Sequence, residues 1–443
     1  MVSHLPINPV VIRTVNATQR SSVKGPTMNV LPELNRELRH LTKSRFVVLC
    51  LFATLIMSAL AVRSGHQEIM FQHSSIAELI ELDNEERERV LTTQRDWGGL
   101  AYASFHFVYN EPSAFAFAAL GQREGEPWKH RIRALALEGQ IYERDSGNPV
   151  LALVGSFDFA FFGGIVVPLL LIVLLHDLKS QERESRRLNL LVANSGSASS
   201  PFRIRAILIS LLVAFASGAP LVIGAVLNNT PDTVLGTAVL ALALNIGFWA
   251  YCCYVQANRE HASSNLLGQL LGFWLALVIV VPTIGRIAIE HVVPVPSGAS
   301  IQMTQREAVN DAWDLPKEVT MQAFIERHPQ WASHSDINQP FEWKWYFAFQ
   351  QVGDQTAEPL SLAYDQGRLA RDRYGWLVAV LSPPVLFERI YQALADTDIR
   401  AQLDYEADVR RFHKKLRDYY YPRLFLDQPF ASEQAGSLPV FEP

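Results

Sequence analysis

Five stretches of the chain carry no charged side chain for 17 to 23 residues: Phe46–Val62, Phe159–Leu175, Ala206–Leu227, Thr233–Val255 and Leu266–Gly285. Each is close to the roughly 20 apolar residues that cross a bilayer core of about 30 Å, and none shows the polar stripe that a helix buried in a water-soluble protein keeps. The pattern therefore predicts a mainly α, polytopic membrane bundle of five spans. Between and around the spans the chain turns polar. Residues 31–45 place Leu34, Leu38 and Leu41 on one stripe among Arg and Lys, the pattern of an amphipathic helix lying at the membrane interface. After the first span, Ile76, Leu79, Ile80, Leu82 and Val90 recur at helical spacing among the charges of residues 85–89, and a looser segment rich in Pro and Gly (Pro112, Gly121, Gly125, Pro127) reads as turns packed near the membrane.

The region after span five, residues 291–443, is patterned like a domain rather than a tail. Phe341, Trp343, Trp345, Phe347 and Phe349 fall at every second position, which predicts a strand and an α or α+β character. Leu386, Ile390 and Leu394, then Ile399, Leu403, Phe412 and Leu416, predict two closing helices, the second ending at Pro422. The apolar run 374–387 is short and contains Pro383-Pro384, so it is placed outside the membrane and not counted as a sixth span. Residues 1–30 have neither periodicity nor an apolar core and read as a disordered leader, with Met28 as an alternative start.

Charge adds a direction to this pattern. Of the 443 residues 49% are hydrophobic and 19% charged, with a net charge of -5, which excludes a generally basic nucleic-acid binder. Residues 1–45 hold seven Lys or Arg and residues 176–205 six, whereas the turn 228–232 holds none. The positive-inside rule then puts the N-terminus, residues 176–205 and residues 256–265 in the cytoplasm, and residues 63–158, the turn 228–232 and everything from Arg286 onward outside. On that assignment the inner segments carry 14 basic against 6 acidic residues, and the outer ones 25 against 38. The three cysteines, Cys50, Cys252 and Cys253, lie in apolar runs and outline neither a disulfide framework nor a thiolate metal site.

Motifs for catalysis are missing from the sequence. It has no G-x-x-x-x-G-K-[ST] loop to cradle phosphates, no H-E-x-x-H and no G-x-S-x-G, so no enzymatic site of its own is expected. His66 and His73, and His328 and His334, are scattered and read as surface or packed residues rather than metal ligands. Asp158, Arg286 and Glu290 stand at span boundaries, where charges anchor a helix rather than serve a proton or ion pathway. The most informative inner segment is Asp177-Leu-Lys-Ser-Gln-Glu-Arg-Glu-Ser-Arg-Arg-Leu-Asn-Leu-Leu191, a charged helix hung directly from span two.

The order of parts resembles the permease subunit of a type-2 ABC exporter, and more narrowly a bacterial subfamily of permeases with enlarged periplasmic regions. The residues that carry the resemblance are Asn148-Pro149 through Gly155-Ser-Phe-Asp158, Gln181-Glu-Arg-Glu-Ser185 with Leu188 to Leu191, and Ser382-Pro383 followed by Ala393-Leu-Ala-Asp-Thr-Asp398. The resemblance implies an inner-membrane protein whose helix after span two is a coupling helix, docked on a separate cytoplasmic ATP-binding subunit through Lys179, Gln181, Glu182, Glu184 and Arg187. It implies no cofactor in this chain, because ATP is held by that partner, and a second permease copy or a related permease beside it. Two departures stand out: Arg186-Arg187 replaces the Gly-Thr often found there, and five spans are seen where six are usual. The alternatives are a mechanotransmission protein that drives its outer domains without passing a substrate, and an envelope scaffold or sensor.

Overall fold

The computed structural model describes residues 30–142, 157–195, 200–259, 262–431 and 437–443. The leader, and the part of the resemblance motif from Asn148 to Ser156, lie outside the described residues. The protein is mainly α and has five helices long and apolar enough to cross a membrane. All five overlap the stretches predicted from the hydrophobic pattern.

The first of them does not stop at the membrane. Ser44 caps it, its hydroxyl accepting from the Val47 N–H at 3.4 Å, and the helix then runs unbroken from Arg45 to Thr93. Forty-nine residues at about 1.5 Å each give a rod of about 74 Å. Only the first part is apolar all round. Beyond it Ile69, Ile76 and Val90 are buried on one side, so the rod passes from lipid into a packed domain without a joint. We call that domain distal, because it lies at the opposite end of the bundle from residues 176–205.

Spans two to five pack around one core in which Leu171, Val213, Leu242 and Trp249 are fully or almost fully buried. Span two begins at Asp158, whose carboxylate caps the helix by accepting from the Phe161 N–H at 2.9 Å. Asn229 takes a φ of 54° in the tight turn between spans three and four, a left-handed conformation that Asn tolerates better than most residues. Span five is the least covered by the rest of the chain, and Arg286 and Glu290 meet there only at 3.9 Å, both largely exposed.

Two expectations are corrected. The aromatic alternation at 341–349 is not a strand: residues 343–381 form one helix of 39 residues. Trp345, Phe347, Ala348, Phe349 and Gln350 are all buried, so this turn of helix is enclosed on several sides, and a segment that is apolar nearly all round shows any period one looks for. The short two-stranded antiparallel sheet lies elsewhere, pairing β1 (His106–Tyr109) with β2 (Lys129–Ile132). The C-terminal region is therefore α, not α+β, among the described residues.

Residues 374–387 are the second correction. They do not cross the membrane, but neither do they stay clear of the bundle. The long helix ends at Leu381, Pro383-Pro384 start a new helix to Leu394, and this helix wedges into the distal mouth of the bundle. Its Phe387 and Tyr391 belong to the span core; the Tyr391 hydroxyl donates to the Ala238 carbonyl at 2.8 Å, and Ser382 donates to the Leu277 carbonyl, halfway along span five, at 2.6 Å. Gly163 makes room for it, since a Cβ there would lie 2.6 Å from the Phe387 ring.

The two polar regions predicted separately share one core. Val90, Leu135, Leu137 and Ile141 from the first pack with Trp345, Phe349, Tyr405 and Leu416 from the second. Two buried histidines make this domain acid-sensitive. His106 is 2% exposed, neither ring nitrogen has a hydrogen-bond partner among the described residues, and burial, helped by nearby Arg87, pushes it down to about 3. His413 is likewise held well below the ordinary imidazole range by burial and then by Arg417. The unfolded chain binds protons at these sites below about pH 6.5 and the folded domain does not, so stability is full above that pH and falls as pH drops. The expected loss is about 1.4 kcal/mol per pH unit for each histidine. Thermal unfolding of the purified protein and of His106→Phe from pH 7.5 to 4.5 should show the difference between them changing by about 1.4 kcal/mol per pH unit below about pH 6.5, the variant being the less acid-sensitive.

Candidate functional site

At the proximal end of the bundle, span two leads through a turn at 176–179 into the short helix Ser180–Glu184. Arg186 follows with a φ of 58°, a left-handed turn that sends the chain back along the bundle end into the helix Leu188–Ser195. The amphipathic helix Val30–Lys43, the start of span three and the turn between spans four and five meet at the same end.

What fixes these pieces together is a buried ion cluster. Arg205, at the start of span three, donates from Nε to Glu37 of the amphipathic helix at 2.8 Å and from Nη1 to Glu182 at 3.4 Å. Glu37, Glu182 and Arg205 are 2%, 6% and 9% exposed. Arg36 adds a second cation to Glu37 at 3.3 Å, and Arg187 approaches Glu182 at 3.8 Å. One guanidinium thus bridges two carboxylates from two other elements, and its fork geometry suits that task better than a lysine would.

A second set of contacts clasps the helix to the turn after span four. The Lys179 ammonium donates to the Asn258 side chain and sits between the rings of Phe202 and Tyr254, 5.4 and 5.7 Å from their centres. Arg183 reaches the Arg259 carbonyl at 3.4 Å, and Glu184 accepts from the Ser263 N–H at 3.1 Å. The five residues that the resemblance singles out therefore divide. Glu182 faces inward and Lys179 is engaged laterally, whereas Gln181, Glu184 and Arg187 are exposed, with Arg186 and Leu190 beside them. The boundary residues Asp158, Arg286 and Glu290 lie at the other end of the bundle and take no part.

Sequence reasoning missed Glu37, Arg205 and Asn258. For Glu37 a signal existed: it is an acid in the middle of a basic amphipathic helix, next to its apolar stripe, where an unpaired carboxylate would be costly. Arg205 and Asn258 carried none, because a polar residue at a span end is ordinary.

Comparison with known proteins touches the distal part of the chain. Residues 299–443 match the model of a domain of unknown function, DUF3526. The DUF3526 segment includes the long 343–381 helix, the wedge 383–394 and the C-terminal helix Ile399–Phe425, so it spans both the distal domain and the mouth of the bundle. No curated protein and no solved structure matches the chain.

Proposed function

We propose that this chain is the membrane permease subunit of an ATP-driven, ABC-type exporter of the bacterial inner membrane, with residues 176–205 in the cytoplasm and the distal domain outside. ATP is bound and hydrolysed on a separate cytoplasmic subunit, and a second permease copy or a related permease completes the assembly. One observation carries the reading: an exposed, charged helix hangs from span two and is tied by a buried cluster to the amphipathic helix and to span three. A push on such an element is delivered to several spans at once instead of being absorbed by a loop. The mechanism is alternating exposure of a path between permease subunits, with this chain supplying the handle and the moving helices and no reaction chemistry.

The docking surface is assigned to the exposed face, Gln181, Glu184, Arg187 and Leu190. Gln181→Arg combined with Leu190→Asp should abolish co-purification with the ATP-binding subunit while leaving the thermal midpoint of the permease unchanged. Retained co-purification would sink the assignment.

A mechanotransmission role is favoured by a different observation, the unbroken helix Arg45–Thr93 that joins the first span to the distal domain. It makes the two move as one body. Cross-linking position 163 to position 387, after cysteine replacement at both, separates the readings: it should stop transport if cargo passes the wedge, and leave ATP-driven distal motion intact if force alone is transmitted.

A further inference from the structure

The distal domain holds a cleft of about 560 Å³ between the helices Lys317–Arg327, Trp343–Leu381 and Ile399–Phe425, a size that suits a small organic ligand. Its floor is built from paired charges. Arg410 grips Glu138 with two hydrogen bonds of 2.9 and 3.1 Å, and also bonds Ser361 at 2.9 Å and Asp365 at 3.2 Å. Arg417 holds Asp354 at 2.7 Å. Higher up, Arg327 and Glu358 form a pair at 2.6 Å, each about half exposed. The exposed Lys414 and Asp418, four residues apart on the C-terminal helix, add one charge of each sign.

This lining selects by chemistry. An anionic ligand needs an unmatched cation, and here Arg327, Arg410 and Arg417 are each neutralised by a carboxylate within the cleft; a cationic one would have to compete with Arg410 for Glu138 and Asp365 and with Arg417 for Asp354. An apolar ligand would strip water from these groups without replacing their bonds. A peptide bound by strand addition needs a free strand edge, and the walls are helices whose backbone groups are bonded internally. What remains is a neutral molecule whose groups donate and accept at once, which is what hydroxyls do. Trp331 supplies the flat apolar surface that such a molecule also needs: one face of the ring stacks on Phe425 at 5.2 Å and 24°, and the partly buried ring lines the cleft. Three polar atoms on these walls, Gln355 Nε2, Asp365 Oδ1 and Arg417 Nε, have no hydrogen-bond partner among the described residues.

We infer that this cleft binds a short neutral oligosaccharide, its hydroxyls bonded to the alternating carboxylates and guanidinium groups and one sugar face laid on Trp331. The inference is independent of what docks at the other end of the bundle. It is tested on the full chain in lipid nanodiscs by saturation-transfer NMR and calorimetry with five probes: maltotriose, cellotriose, triacetylchitotriose, trialanine and trigalacturonate. At least one neutral trisaccharide should bind, and the peptide and the anionic sugar should not. Trp331→Ala should weaken that binding by about tenfold, in line with the loss of one stacked ring. Because Trp331 also packs on Phe425, the exposed pair Arg327→Ala with Glu358→Ala is a second variant that leaves the core untouched and should weaken binding as well. Binding of none of the neutral sugars, tighter binding of trialanine or trigalacturonate, or sugar binding unchanged in both variants would each overturn the inference.

Discussion

Arg205→Ala is expected to cost about 3–5 kcal/mol and to leave little folded protein in detergent, because it strands two buried carboxylates rather than merely deleting a bond. Glu37 and Glu182 both turn toward this one guanidinium, at 2.8 and 3.4 Å, and neither has open water to fall back on. Arg36 compensates Glu37 in part and Arg187 reaches Glu182 only at 3.8 Å, so the loss falls mainly on Glu182. The rescue is as informative as the lesion. Glu37→Met and Glu182→Met introduced together with Arg205→Met remove all three charges while roughly keeping volume, and a buried ionic cluster replaced by apolar side chains in this way often costs little stability. The triple variant should therefore melt near the wild type, whereas the single variant should not; melting midpoints that coincide for Arg205→Ala and wild type would refute the account. If the cluster transmits force as proposed, the triple variant should still bind the ATP-binding subunit but transport poorly, since apolar packing does not hold three elements in one register as a fork of hydrogen bonds does.

Gly65→Ala should be strongly destabilising. Gly65 lies just past the first span on the long helix, and a Cβ there would stand 1.9 Å from the carbonyl oxygen of Phe117 and 2.8 Å from its carbonyl carbon. Those are backbone atoms of a segment with little freedom to retreat. Ser113 donates to the Ala395 carbonyl at 2.6 Å, Thr230 donates to the Ala114 carbonyl at 3.1 Å, the Leu120 N–H donates to Asp158 at 2.9 Å, and Thr397 donates to the Ala119 carbonyl at 2.9 Å. Residues 113–120 are thus a staple across the distal mouth of the bundle, joining the wedge, the start of span two and the turn after span three. Moving the staple to admit a methyl group breaks several of these bonds together, and a loss above about 3 kcal/mol is expected, at or beyond the usual range for overpacking. Gly247→Ala is the matched control, since a Cβ there meets nothing within 4 Å. The same chemical change at that site should shift stability by less than about 1 kcal/mol. Thermal unfolding of both variants, with proteolysis at the staple as a second readout, decides the matter: equal midpoints would show that the staple yields easily.

How much of this was readable beforehand depends on which physical property wrote the signal. The spans were readable because lipid solvates a helix from outside, so apolar length is demanded residue by residue whatever the neighbours do. The turn-rich character of residues 112–127 was readable too, from Pro and Gly, but its role as a staple was not, since each of its bonds goes to a residue far along the chain. The strand expected at 341–349 failed because a segment enclosed on several sides has lost the polar positions by which period 2 and period 3.6 are told apart. The wedge at 383–394 was hidden for a similar reason. Hydropathy counts whether a run can cross, and a helix that enters the mouth of a bundle and turns back is too short for that count yet too buried to be ordinary surface.

By itself, the sequence determined the mainly α class, the five apolar segments long enough to cross a membrane, the amphipathic helix before the first, and the charged helix after the second. All of these are local patterns, imposed by the solvent each residue faces. Only the tertiary structure decided that two polar regions are one distal domain, that the first span and that domain are a single rod, and that Glu182 points inward to Arg205 while Gln181, Glu184 and Arg187 face out. Those outcomes depend on which partner a side chain meets, and a pairing between residues 23 or 168 positions apart leaves no periodicity in the chain that makes it.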